Sequence, residues 1–256
     1  MGFELERGVR RLLRPLKALK PGSRALVPIT FFNPIASLGL AIIVSRMKMG
    51  YGSVASIAIP EVLALEDPKG LLKGLKTFKV GIEPLPETGD PFAILKLDKL
   101  WSLKLAREFN YNVILLPITS TDITVLTLEA SLRGDEELWA DLAYSDNVNG
   151  ILIVNALAGV ELEAIMAYAA LNGLNAFRVG GALKPETVAY KILYALKRGP
   201  ELEFSSHRVL ALFREGALGR LGFKCRVCGS PSREPGYCGV CRYIRAYDLT
   251  VTSRNV

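Results

Sequence analysis

The chain has four cysteines, and all four fall in one segment, Cys225-x2-Cys228-x9-Cys238-x2-Cys241. Each Cys-x2-Cys pair is a knuckle that can set two thiolates on one metal ion. Two knuckles complete a closed tetrahedral sulfur shell, the pattern of a structural zinc ribbon. Gly229 and Gly239 stand beside the pairs, where the backbone must turn tightly. Ligand type and count favour zinc, with iron at a rubredoxin-like site as the main competitor. Two disulfides or a redox pair are the other readings, and disulfides would suit an oxidising compartment. The first residues show no secretory pattern, so the expected location is cytoplasmic.

Other residues with chemical potential are weaker signals. Gly180-Gly181 follows an expected strand and reads as a turn. His207 is the only histidine. It reads as a helix-terminal surface residue, and one histidine alone does not build a hydrolytic triad.

The elements that must position these residues alternate along the chain. Apolar runs at 24–30, 53–60, 76–85, 112–117 and 150–154 read as strands. Helical patterns are expected at 35–49, 61–75, 92–109, 122–132, 160–171, 185–197 and 207–214. Thr121 is the expected N-cap of the helix that begins at Asp122. In the helix over 92–109, Leu97, Trp101 and Leu105 share a stripe, with Lys96, Lys99, Lys104 and Arg107 elsewhere on its surface. Those cations read equally as a phosphate contact or as a solvated face. Continuously apolar strands between helices predict an α/β fold, a Rossmann-like doubly wound parallel sheet. Ligands in such folds bind beyond the carboxyl ends of the strands, here including the turn after the first strand. The expected organisation is a basic N-terminal helix over 1–22, an α/β domain over 23–216, and a cysteine ribbon with tail over 217–256.

Charge is unevenly placed. The chain carries a net +7. Residues 1–24 hold seven Lys/Arg against two acids, and residues 208–256 hold nine against three. The ends are therefore +5 and +6, leaving −4 between them. Basic ends around a mildly acidic middle suggest a polyanionic partner, most naturally nucleic acid; ordinary solvated faces are the bland alternative. Ala25–Ser45 contains no charge for 21 residues, but Pro28, Asn33 and Pro34 break it. A buried strand and helix explain it better than a membrane span.

A Rossmann-like domain ending in a cysteine ribbon resembles the PP-loop ATPases that thiolate tRNA uridines. The layout of Lys96–Asp135 is similar to that family's basic helix, strand, turn and following helix, and Leu132-Arg133-Gly134-Asp135 matches its closing Leu-Arg-Gly-Asp. In the family a glycine-rich PP-loop follows the first strand and holds the pyrophosphate of ATP. The equivalent turn here is Thr30-Phe31-Phe32-Asn33-Pro34-Ile35, without glycine or aspartate. Pro34 lacks an N–H and two phenylalanines fill space that phosphate oxygens need. Of the family's second nucleotide turn only Asp122 is kept, and a helix-terminal aspartate is more often a cap. Where the family places its core cysteines, this chain has Ile94 and Leu97. A persulfide route or a core iron–sulfur cluster is excluded by inventory, since both need thiolates.

The resemblance is strongest to the inactive second subunit of the cytosolic tRNA thiouridylase. It implies a non-catalytic protein supporting tRNA uridine 2-thiolation, with a zinc ribbon, tRNA and a catalytic PP-loop paralogue as partners, and no membrane. Lys224, Arg226, Arg233, Arg242 and Arg245 are the expected RNA contacts on the ribbon. The alternatives are an active ATP-dependent tRNA-modifying enzyme with a diverged loop, or a zinc-ribbon RNA- or protein-binding module unrelated to thiolation.

Overall fold

A computed structural model describes residues 2–47, 52–67, 69–83, 85, 88–178, 200–246 and 248–255. In chain order the elements are α1 (Gly2–Leu13), β1 (Arg24–Pro28), α2 (Pro34–Arg46), β2 (Val54–Pro60), β3 (Leu63–Glu66), β4 (Lys76–Glu83), α3 (Pro91–Glu108), β5 (Val113–Thr119), α4 (Ser120–Arg133) and α5 (Glu136–Asp141). They continue with β6 (Ser145–Val148), β7 (Ile151–Leu157), α6 (Leu162–Leu171), β8 (Asn175–Arg178), α7 (Pro200–Arg220), β9 (Phe223–Lys224), β10 (Pro231–Ser232), α8 (Gly239–Tyr243) and β11 (Thr250–Asn255). The expected Gly180-Gly181 turn and the expected helix over 185–197 lie outside the described residues.

The main sheet has seven strands in the order β11-β4-β2-β1-β5-β7-β6. The inner five run parallel, while β11 and β6 close the edges antiparallel. The chain moves from β1 to β2 to β4 on one side, then returns across β1 to β5 and β7. The reversal makes the carboxyl end of β1 the topological switch point. Right-handed crossovers then place α2 on one face and α3 and α4 on the other. The helix α1 packs with α2 and α6, whereas the ribbon packs on α3 and α5. The two basic ends of the chain are thus carried on opposite faces of the sheet.

Local chemistry explains the boundaries. Asn33 caps α2 with Pro34 at its first turn, and Asp90 caps α3 with Pro91 there. The Leu132–Asp135 motif is a helix junction: Gly134 ends α4 in the left-handed region, and Asp135 caps α5. Arg133, at the end of α4, pairs with Glu129 one turn earlier and with Asp90 at the start of α3.

Two expectations are corrected. Residues 61–75 do not form a helix. They give β3, paired antiparallel with β8, followed by turns in which the Asp67 carboxylate accepts from the N–H groups of Leu71 and Leu72. Such side-chain turns compete with helix, and Gly70 sits at φ +63°. The cap of α4 is Thr119 rather than Thr121. The hydroxyl of Thr121 instead accepts from the N–H of Leu162. The C-terminal tail, grouped with the ribbon by sequence, returns as β11 to pair with β4 along Glu83–Phe78.

The α2–α6 contact depends on Gly39. A Cβ there would stand 2.6 Å from Cγ1 of Ile165, a fully buried side chain. Gly39→Val is therefore expected to cost about 2 kcal/mol of stability through overpacking. Urea unfolding measures it, and an unchanged midpoint would show that the contact can relax.

Candidate metal centre and the turn after the first strand

The ribbon is built from β9, β10 and α8. Its first knuckle carries Cys225 and Cys228, and the second carries Cys238 at the cap of α8 and Cys241 inside that helix. Backbone bonds fold the first knuckle: Gly229 N–H donates to Cys225 O at 2.9 Å, Cys225 N–H to Ser230 O at 2.8 Å, and Arg226 N–H to Gly236 O at 2.7 Å. Gly229 sits at φ +73°, where a side chain would be strained. A Cβ there would also meet Val148 of β6 at 2.9 Å.

All four cysteines are buried, and their sulfurs lie within 4.8 Å of one another. The Sγ atoms of Cys228 and Cys238 are 3.8 Å apart. A tetrahedron with metal–sulfur bonds of about 2.3 Å has edges of about 3.8 Å. The sulfurs converge on one point instead of forming two bonded pairs. The cluster therefore has the donor set and spacing of a metal site. Four thiols this close cannot all ionise unaided. Hydrogen bonds from Cys228, Cys238 and Cys241 hold the Cys225 thiol far below its ordinary pKa, while donation to Cys225 and Cys228 pushes Cys241 far above its own. A bound cation removes that conflict.

The ribbon is held by buried charges from α3 and α5. The Lys96 ammonium is 2% exposed and pairs with the Asp141 carboxylate. It also donates to Ser230 Oγ at 3.0 Å and to Cys228 Sγ at 3.5 Å. Burial opposes its charge, but Asp141 and the sulfurs of Cys228, Cys238 and Cys241 outweigh burial and hold its pKa well above the ordinary lysine value. Lys99 pairs with Asp146 at 3.0 Å and reaches Ser230 Oγ at 3.2 Å. From α5, Glu137 accepts from Gly239 N–H and Arg233 N–H, both at 2.8 Å, and from Ser232 Oγ at 3.1 Å. Lys96 and Lys99 are thus neither a solvated face nor a phosphate contact.

The turn after β1 is closed on itself. Thr30, Phe31 and Phe32 are buried, and Asn33, Pro34 and Ile35 partly so. The N–H groups of Phe31 and Phe32 donate to the two oxygens of Asp98 at 2.9 Å each. Thr30 N–H donates to Ser37 Oγ, Asn33 N–H to Thr30 Oγ1, and Ala36 N–H to Asn33 Oδ1. Trp101 Nε1 donates to Asp98 Oδ1 at 3.1 Å. The Asp98 carboxylate is fully buried and lies where an anion bound by this turn would lie. Ile94 and Leu97 are core residues of α3.

The remaining expected residues are dispersed. Asp122 is buried in a capping box: its carboxylate accepts from Thr119 N–H at 2.9 Å, and its own N–H donates to Thr119 Oγ1 at 3.1 Å. On the ribbon, Lys224, Arg226, Arg233, Arg242 and Arg245 are all exposed. Arg242 pairs with Glu234 at 2.6 Å and Arg233 with Glu136 at 3.7 Å. Sequence reading missed Asp98, Glu137, Asp141 and Ser230. The one available signal was Asp98 itself, a charge inside the apolar stripe of α3.

The fold is similar to that of the U34-tRNA thiolase NcsA from Methanococcus maripaludis, solved with its [4Fe-4S] cluster. The TM-score is 0.65 at 16% identity, covering 94% of this chain and 86% of that one. No protein-family model matches the sequence, nor does any curated protein. At this identity the likeness establishes the fold. No helix among the described residues is long and apolar enough to cross a membrane.

Removing one partner of a buried ion pair leaves the other uncompensated. Lys96→Met is expected to cost about 3–5 kcal/mol and to loosen the ribbon. The double variant Lys96→Met/Asp141→Leu should regain much of that loss. Urea unfolding of both variants checks the pair; equal stability of single and double variants would refute it.

Proposed function

We propose that this chain is a non-catalytic subunit that supports 2-thiolation of tRNA uridine. In this reading it binds tRNA and a catalytic PP-loop paralogue, with zinc held by Cys225, Cys228, Cys238 and Cys241. The observation that carries the reading is the closed turn at 30–35. In a nucleotide-binding turn, backbone N–H groups at the switch point face phosphate oxygens. Here the carboxylate of Asp98 takes two of those groups, and Pro34 has none to give. A second anion beside Asp98 would meet like charge and buried phenylalanine rings. The likeness to a tRNA thiolase supports the tRNA part at the level of fold.

Zinc is favoured over a cubane cluster by the same geometry. A [4Fe-4S] cluster sets each thiolate on a different iron, whereas these sulfurs converge on one centre. Bound zinc would supply a fixed crosslink between the two knuckles. The exposed Lys224, Arg226 and Arg245, with Arg233 and Arg242 beside them, remain the proposed RNA contacts of the ribbon.

The isolated protein is expected to carry about one zinc per chain and to show no ATP binding by calorimetry. Cys225→Ser should lose the metal while far-UV circular dichroism of the α/β body is kept. Co-purification should recover a PP-loop enzyme. Tight magnesium-dependent ATP binding would replace this reading with that of an active enzyme, and absence of any such partner would remove the subunit role.

A further inference from the structure

The N-terminal helix α1 packs on β7, α2 and α6. The apolar side chains Leu5, Val9 and Leu13 are buried against the body. The exposed flank and C-terminal end of the helix join the connection to β1 in a groove of about 690 Å³. Arg7, Arg10, Arg11, Arg14, Lys17 and Lys20 line it, and all six are exposed. Leu13, Pro15, Leu19 and Met47 form its apolar floor. Arg7 pairs with Glu4 and Arg10 with Glu6. Among the described residues no acid stands within ion-pair distance of Arg11, Arg14, Lys17 or Lys20.

Lys17 adds an independent observation. The helix ends in a Schellman arrangement: Ala18 N–H donates to Leu13 O, and Lys17 N–H to Arg14 O. Leu13 and Ala18 are buried together, as that motif favours. The residue at its left-handed position is normally glycine, but here it is Lys17, at φ +51°. A strained backbone therefore holds a cation over the groove, a position where folding alone would favour glycine.

We propose that this groove binds the sugar–phosphate backbone of tRNA, as a site separate from the ribbon and on the opposite face of the sheet. The proposal rests on the RNA reading given above. Cations at Arg7, Arg10/Arg11 and Arg14 advance along the helix in steps of about 5 Å, comparable with successive phosphates on one strand. The apolar floor suits ribose and base faces that pack beneath them. A membrane surface is the less suitable polyanion, because Leu5, Val9 and Leu13 are buried in the protein core and leave Phe3 as the one large apolar side chain that α1 exposes.

The test measures binding of an unmodified tRNA transcript to the full chain across a salt series. Arg11→Glu/Arg14→Glu is expected to weaken binding about tenfold or more at moderate salt. Lys17→Gly should weaken it and lower the log–log salt slope by about 1, with a melting temperature equal to or above that of the parent. That pairing of lost affinity with kept stability separates a binding role from a structural one. Arg226→Glu/Arg245→Glu on the ribbon serves as the comparison. Parental affinity in both groove variants overturns the proposal. So does preferential binding of phosphatidylserine vesicles over tRNA. If the parent binds no tRNA, the groove proposal falls, while co-purification of a PP-loop enzyme still decides the subunit reading.

Discussion

The ammonium of Lys96 is the point on which the ribbon's position depends. It is buried between α3, α5 and the first knuckle, with Asp141, Ser230 and Cys228 around it. Removing such a charge from water is costly, so burial is tolerated only when the partners are in place. The net gain in stability from a buried pair is small, but its geometry is demanding. A ribbon rotated or lifted by a few ångströms would take Ser230 out of reach of Lys96, Lys99 and Asp141, and Cys228 out of reach of Lys96. The Glu137 carboxylate adds a second tie by accepting from two backbone N–H groups of the ribbon. The metal centre is accordingly fixed to the α/β body and is no tethered appendage.

The same helix fixes the turn after β1. Asp98 follows Lys96 by two residues, and side chains two apart on a helix point in widely different directions. Lys96 reaches the ribbon while Asp98 reaches the N–H groups of Phe31 and Phe32. The helix α3 is buried on nearly every side because it lies between these two attachments. A change that shifts α3 would disturb the closed turn and the metal centre together. This coupling also explains why the helix tolerates so many charged residues within the core: each has a defined partner.

Much of the architecture was legible in the sequence. Apolar runs such as Val113–Leu116, and Pro residues at the starts of α2 and α3, mark elements whose local preference agrees with their final state. The cysteine spacing located the metal centre because ligand geometry constrains short-range sequence. What escaped depended on tertiary partners. Residues 61–75 have helix-forming side chains, yet pairing with β8 and the Asp67 turns prevail. Lys96 and Lys99 resemble a solvated face because nothing nearby in sequence shows Asp141, Asp146 or Ser230 meeting them. The role of Asp98 arises between residues 66 and 67 positions apart, beyond any periodicity.

Net charge along a chain is a sum, whereas polyanion binding depends on which cations converge and which are already neutralised. The two basic ends have similar formal charge, but the fold treats them differently. On the ribbon side Arg220 pairs with Glu136, Arg233 lies 3.7 Å from the same carboxylate, and Arg242 pairs with Glu234. Each exposed pair adds little stability, yet each removes a positive charge from the local field. At the N-terminus Arg7 pairs with Glu4 and Arg10 with Glu6, while among the described residues no acid stands within ion-pair distance of Arg11, Arg14, Lys17 or Lys20 around a concave surface, and concavity with low-dielectric walls focuses their field. On the ribbon Lys224, Arg226 and Arg245 likewise have no acid within ion-pair distance among the described residues, so what sets the α1 groove apart from the ribbon is its concavity.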